Sequence, residues 1–69
     1  MNAELQTLSV GDDVICTEGG IDRPFSHQSD KGQITGFARL SSYHAREAMV
    51  RFPDGSAEWF WVSALRKAA

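Results

Sequence analysis

The residue types that most often carry out chemistry are few in this chain and lie far apart. It has one cysteine, Cys16, and two histidines, His27 and His44, which are 17 positions apart. A zinc site uses four Cys, His or carboxylate ligands at short paired spacings, and the sequence offers no such pairing. A nucleophilic cysteine needs a base within hydrogen-bond reach. We therefore expect Cys16 to be buried packing and the histidines to lie on exposed loops, with no catalytic residue, no metal and no cofactor.

The acidic side chains of the first half could act as general acid and base only inside a cleft. Paired carboxylates catalyse reactions because their surroundings hold their pKa values apart, and a domain of 69 residues rarely encloses a cleft without a partner subunit. The sequence instead predicts a solvated acidic face made of Asp12, Asp13, Glu18, Asp22 and Asp30. An enzyme is therefore the less favoured interpretation.

Aromatic residues are densest at Trp59, Phe60 and Trp61. Successive side chains of a strand point to opposite faces, so the two tryptophans share one face and Phe60 lies on the other. Val62 and Leu65 have the apolar character of core residues, which favours an inward Phe60 and outward indoles. Two exposed indoles on a small domain indicate an interface or a ligand platform. The opposite register, with both tryptophans in the core, stays open.

A Tudor-type aromatic cage is a second interpretation of the same side chains. Such a cage surrounds a cation with three or four aromatic residues, often with an acid beside them. Tyr43, Trp59, Trp61 and Glu58 have the required chemistry, although Tyr43 is equally compatible with a solvated loop. Together with Phe25, these four residues form the predicted binding set.

A β-hairpin must position these aromatic residues. Segments 49–52 and 57–62 have strand-like alternation or are rich in aromatic and β-branched residues. Pro53 and Gly55 lie between them, where proline fixes φ and glycine accepts a positive φ. Two such runs around a tight turn predict a hairpin and an all-β domain.

The remaining segments also alternate between strands and turns. Gly36 lies inside an otherwise strand-like run, which predicts a bulge or a sharp bend. The predicted elements are strands at about 13–17, 31–40, 46 or 47 to 52, and 57–62, then a 3₁₀ turn at 63–65 and a brief fifth strand at 65–67.

Residues 18–30 interrupt the strands with a long loop. It has two adjacent glycines, a proline and several small polar residues. Loops of this length are uncommon in small domains and are often binding elements. Its apolar members, Ile21 and Phe25, are expected to fold back over one end of the structure that the strands form.

Length and composition indicate a single small globular domain. We expect residues 1–8 to be either a mobile arm or a short turn of helix, and residues 9–69 to form the folded unit. A net charge of −2 and a pI near 5.5 disfavour non-specific nucleic-acid binding. The lone cysteine and the lack of a signal peptide or long apolar run favour a cytoplasmic protein without membrane contact.

Four short motifs follow one another over residues 11–66. They are Gly11-Asp12-x-Val14, Gly32-x-Ile34-x-Gly36, Val50-x-Phe52-x-Asp54-Gly55 and Val62-x-x-Leu65. Their order resembles that of the SH3-like barrels, the five-stranded rolls of Tudor-type and KOW-type modules. The resemblance implies a small, five-stranded, all-β SH3-like barrel with a long loop after the first strand and a 3₁₀ turn near the C-terminus. A fold of this kind hosts many functions.

Three longer segments indicate which of the SH3-like barrel families this chain resembles. They are Gly11-Asp12-Asp13-Val14, Gly32-Gln33-Ile34-Thr35-Gly36 and Val62-Ser63-Ala64-Leu65. They are similar to segments of the plasmid-borne type II dihydrofolate reductases, which are tetramers of SH3-like barrels around a central pore. The family's active-site strand reads Val-Gln-Ile-Tyr, and this chain has Ala57-Glu58-Trp59-Phe60 at the same positions. The family also has a basic residue that binds the substrate carboxylate, and Cys16 falls near the position of that residue.

The sequence therefore leads to three functional hypotheses. The first is a small non-catalytic binding or assembly module that uses the Trp59/Trp61 face and the long loop to bind a protein partner or a copy of itself. The second, implied by the resemblance, is an oligomeric NADPH-dependent dihydrofolate reductase. The third is nucleic-acid binding by stacking on aromatic side chains, which the acidic balance disfavours.

Overall fold

The structure is a computed structural model that describes residues 8–40 and 45–68. Within these ranges the chain is all-β, as the sequence predicts, and none of it forms a helix that could cross a bilayer. The elements are β1 at Asp13–Cys16, β2 at Lys31–Leu40, β3 at Ala45–Arg51, β4 at Ala57–Trp61, a 3₁₀ turn at Val62–Ala64 and β5 at Leu65–Lys67. Each predicted strand is confirmed, with boundaries that shift by one or two residues. Tyr43, His44 and residues 1–7 of the predicted arm lie outside the described residues.

The five strands form one antiparallel sheet in the order β4-β3-β2-β1-β5. β1 pairs with β2 on one side and with β5 on the other, and β3 pairs with β2 and β4. The outer strands β4 and β5 are joined along the chain by the 3₁₀ turn, but they share no ladder in the described structure. The sheet is therefore open, and the closed barrel expected from the sequence remains a prediction.

A bulge and a tight turn shape the middle of the sheet. The register between β2 and β3 shifts between Ile34 and Gly36, which confirms the bulge predicted at Gly36. In the β3–β4 turn, Gly55 has a φ of 91°, a conformation that most side chains avoid. The hydroxyl and backbone N–H of Ser56 donate to Asp54 Oδ1 at 2.7 and 2.9 Å. These bonds lower the pKa of the Asp54 carboxyl and hold the turn that the sequence predicts.

The core is small and lies on the inner face of the sheet. Phe60 is fully buried, which confirms the register that points it inward. Phe52 packs edge-on against it, with ring centroids 5.8 Å apart and planes inclined at 65°. Leu8, the last residue of the predicted arm, packs against this core. The buried apolar residues are Val14, Cys16, Ile34, Ala48, Val50, Phe52, Phe60, Ala64 and Leu65.

Residues 17–30 form the long loop, which is closed at its base by backbone hydrogen bonds. Cys16 N–H donates to the Asp30 carbonyl at 2.9 Å, and Ser29 N–H donates to the Cys16 carbonyl at 2.7 Å. Ile21 is half-buried, but Phe25 is 87% exposed. The prediction that Phe25 folds back over the end of the sheet is therefore wrong, because the turn that contains it points outward.

Candidate functional site

The outer face of β3 and β4 carries a row of large side chains. Trp59 lies opposite Met49, and Trp61 lies opposite Glu47, across the two strands. Trp61 is 42% exposed, while Trp59 and Met49 are half-buried. Because Phe60 is buried on the other side of β4, both indoles point away from the core. We refer to Met49, Trp59 and Trp61 as the aromatic face.

Opposite charges flank the aromatic face. Glu47, Met49 and Arg51 are alternate residues of β3 and so share its outer side. Arg51 is exposed, and its cross-strand neighbour is the small residue Ala57. The outer side of β3 thus runs from an acid through an apolar centre to a base.

The inner side of β4 carries a charged residue, Glu58, two positions before the buried Phe60. The Glu58 side chain is only 10% exposed and contacts the long loop. Its Oε1 atom accepts hydrogen bonds from the Arg23 guanidinium at 3.2 Å and from the Ser26 hydroxyl at 2.8 Å. These contacts span 35 and 32 residues of sequence. One carboxylate oxygen therefore ties the loop to the sheet.

The loop backbone closes over the other oxygen of this carboxylate. Glu58 Oε2 is buried and accepts no hydrogen bond within the described residues. A β-carbon on Gly20 would overlap this oxygen, and one on Gly19 would overlap the carbonyl of Pro24. Gly19 is thus required by a close approach of backbone, whereas a larger residue in place of Gly20 would displace the Glu58 carboxylate.

A turn at the tip of the loop presents Phe25 to solvent. Ser26 N–H donates to the Arg23 carbonyl at 2.8 Å, and Pro24 takes the second position of the turn, where its fixed φ fits. Phe25 takes the third position and is 87% exposed. Because Glu58 binds the side chains at both ends of the turn, Phe25 projects from an anchored segment.

The loop also covers part of the outer edge of β4. Phe52 N–H donates to the Ser56 carbonyl at 2.8 Å, so these two residues form a hydrogen-bonded pair of the hairpin. Hydrogen-bonded and non-hydrogen-bonded pairs alternate along an antiparallel ladder, so the backbone N–H and C=O of Trp59 point away from β3. The Trp59 carbonyl accepts a hydrogen bond from Ile21 N–H at 3.0 Å. The edge of β4 is therefore partly paired with the loop.

His27 packs on the core, so the expectation that it is exposed is wrong. Its ring stacks on Phe52, with centroids 3.8 Å apart and planes inclined by 5°. Its Nδ1 atom lies 3.0 Å from Asp30 Oδ2. His27 and Ser29 have φ values of 61° and 72°, which are uncommon outside glycine and are maintained by surrounding contacts. These contacts fix the loop rather than forming a reactive centre.

The single thiol is unsuited to nucleophilic chemistry. Cys16 is fully buried, as the sequence predicts. Burial, and then the negative charges of Asp30 and Glu58, raise the pKa of this thiol from 9.0 to about 11. It therefore stays protonated near neutral pH, whereas the reactive form is the thiolate. Among the described residues, no cluster of His, Cys, Asp or Glu side chains could hold a metal ion.

The structure separates the residues of the predicted binding set. Trp59 and Trp61 lie on the outer side of β4, but Glu58 lies on the inner side, so it does not join a cage with the indoles. Phe25 is at the loop tip, and Tyr43 lies outside the described residues. The anchoring partners Arg23 and Ser26 have no distinctive sequence pattern, and the glycine pair at 19–20 is the only local sign of a close contact there.

Comparison with models of known protein families gives no match, and neither curated proteins nor solved structures match this chain. Its function must therefore be argued from geometry. The two features that carry such an argument are the outward aromatic face and the loop that Glu58 anchors.

Proposed function

We propose that this chain is a small non-catalytic assembly module that binds a second copy of itself through the aromatic face. The observation that carries the proposal is the outward pair of indoles, with Trp61 42% exposed beside the half-buried Trp59 and Met49. Aromatic side chains supply much of the energy of protein interfaces. The strand order and the 3₁₀ turn before β5 support an SH3-like roll as the scaffold.

The charges beside the aromatic face favour a second copy as the partner. In a two-fold symmetric interface the same patch meets itself, so residue i of one copy contacts residue j of the other. With the axis near Met49, Glu47 of one copy lies near Arg51 of the second, and the same pairing recurs across the axis. The outer side of β3 is therefore complementary to itself.

The small size of the domain is a second reason to expect association. A domain of this length buries only about 60% of its extended-chain surface, and its core is correspondingly thin. Burial of the aromatic face against another copy would add apolar area that the monomer leaves in water. Association is one of the usual ways in which such small domains gain stability.

Light scattering over a concentration series tests the proposal. We expect the wild-type protein to dimerise and the Trp59→Ala/Trp61→Ala variant to be monomeric with an unchanged far-UV spectrum. Loss of two interface anchors should raise the dissociation constant about 1,000-fold, since each such residue contributes about 2 kcal/mol or more and 1.4 kcal/mol is a tenfold change.

The matched control is Phe25→Ala, which removes an exposed aromatic side chain from outside the aromatic face and should leave the dimer intact. A wild-type protein that stays monomeric at every concentration would contradict the proposal. So would a double tryptophan variant that dimerises as well as the wild type.

An exchange of charges tests the two-fold arrangement itself. Glu47→Arg alone, or Arg51→Glu alone, places like charges opposite each other and should weaken the dimer. Mixing the two single variants should restore a heterodimer, because every Arg then faces a Glu. The variant with both exchanges should also dimerise. If neither combination recovers association, the two copies do not meet in this orientation.

A further inference from the structure

A shallow groove lies beside the aromatic face, at the end of β3 that leads into the hairpin turn. Its volume is about 650 Å³. It is lined by Lys31, Gly32, Gln33, Arg51, Phe52 and Pro53, with Asp13 on the β1 side. Gln33 lies directly opposite Arg51 across β2 and β3. The groove is open to solvent, and its lining is partly polar and partly apolar.

Gly32 lies between the two polar residues that β2 contributes to the groove. A β-carbon on Gly32 would lie 2.5 Å from Val50 Cγ1 and 2.9 Å from the Arg51 carbonyl oxygen, which is closer than real contacts allow. The missing side chain thus leaves room for the buried Val50 and Phe52 on the core side of β2. Lys31 and Gln33 flank Gly32 and share one face of β2. The groove therefore has two cationic residues, Lys31 and Arg51, on neighbouring strands.

Neither of these cations has a carboxylate partner among the described residues. By contrast, Arg23 and Lys67 lie 3.2 and 3.6 Å from carboxylate oxygens. The one acid of the groove, Asp13, is a diagonal neighbour of Lys31 but is separated from Arg51 by the width of β2. In a chain with a net charge of −2, this groove is consequently a local site of positive charge.

We propose that the groove binds a small oxyanion, a phosphate or carboxylate group, between Lys31 and Arg51. A guanidinium donates two parallel hydrogen bonds to such a group, and an ammonium adds a compact point charge. The Gln33 amide donates one hydrogen bond to the Gly11 carbonyl at 3.1 Å and has a second N–H for the anion. Asp13 repels an anion that extends toward β1, so the site suits a compact ligand.

NMR titration of ¹⁵N-labelled protein with inorganic phosphate, and separately with acetate, tests this site. We expect saturable shifts of the Gly32, Gln33 and Arg51 amides with at least one anion, and weaker binding as sodium chloride screens the charges. Lys31→Ala and Arg51→Ala should each raise the dissociation constant about fivefold or more. Arg66→Ala is the matched control, because it removes an exposed cation of β5 from outside the groove and should change binding less than about twofold.

The same titration in the Trp59→Ala/Trp61→Ala variant separates this site from the proposed self-interface, which also uses Arg51. Its groove residues are unchanged and its Arg51 no longer faces Glu47 of a second copy, so the anion should bind this variant at least as tightly as it binds the wild type. Absence of saturable shifts with both anions would overturn the site, whatever the oligomeric state. An equal loss of affinity in Arg66→Ala would overturn it too, since the anion would then respond only to overall charge.

Discussion

The two faces of β4 are built differently. On the inner face, Phe60 is fully buried and Glu58 is 10% exposed, and both are held by contacts within the chain. On the outer face, Trp61 is 42% exposed and Trp59 is half-buried, with cross-strand neighbours beside them. Alternate residues of one short strand therefore have separate tasks. The inner residues stabilise the fold, and the outer residues are available for association.

Phe60→Ala should have the largest effect, because it breaks the inner face. Removal of a fully buried phenylalanine costs about 3–5 kcal/mol, which is most of the stability expected of so small a domain. At a protein concentration at which the wild type is monomeric, Trp61→Ala, on the outer face, should lower the free energy of unfolding by less than about 1 kcal/mol, the usual value of a cross-strand pair. Urea unfolding followed by circular dichroism measures both. Equal losses would show that the two faces do not differ in this way.

Alkaline pH should lower the free energy of unfolding through the buried thiol of Cys16. Since the pKa of the folded thiol is raised from 9.0 to about 11, the unfolded chain loses this proton first. The contribution to stability is full below pH 9 and disappears as the pH rises toward 11. It amounts to about 2–3 kcal/mol, at about 1.4 kcal/mol per pKa unit.

Comparison with Cys16→Ala isolates this effect from other groups that titrate at high pH. Between pH 9 and 11, the free energy of unfolding of the variant should fall less steeply than that of the wild type. Urea titrations at several pH values give the difference curve. Parallel curves would mean that the thiol titrates alike in the folded and unfolded chains.

Glu58→Ala should release the long loop and leave the aromatic face in place. The variant loses hydrogen bonds to a charged group, which contribute about 1.5–3 kcal/mol. It also removes the buried Oε2 atom, whose lack of a partner destabilises the wild type by about 1–3 kcal/mol. The net loss should therefore be small, about 1–2 kcal/mol, with faster hydrogen exchange at the Ile21 and Ser26 amides. Arg23→Ala, whose side chain is 72% exposed, should cost less than about 1 kcal/mol. Unchanged exchange in the loop of Glu58→Ala would argue against the anchoring role.

The strands and the direction of the indoles could be predicted because they depend on residues close together in sequence. Pro53 and Gly55 specify the hairpin turn, and Gly36 marks the bulge. The apolar Val62 shares the parity of Phe60 along the strand, which favours the inward position of Phe60 and so the two faces of β4. Each of these features follows from local backbone preference or from the two-residue period of a strand.

The arrangement of the long loop could not be predicted in the same way. Glu58 meets Arg23 and Ser26 across 35 and 32 residues, and no periodic pattern links such distant positions. The outward position of Phe25 depends on that anchored turn, so its apolar character alone gave the wrong expectation. Closure of the sheet likewise depends on long-range pairing between β4 and β5, which local signals do not specify.

The hydrogen bond from Ile21 N–H to the Trp59 carbonyl also limits how copies can add to one another. A bare edge strand is a template for further strands and permits open-ended, fibril-like growth, to which aromatic segments are prone. Because the loop backbone takes this position, another chain cannot continue the ladder through Trp59. In the proposed dimer, contact instead uses the flat side of the strand, where a two-fold arrangement ends with two copies. The loop thus leaves less of the edge of the most aromatic strand open to pairing with another chain.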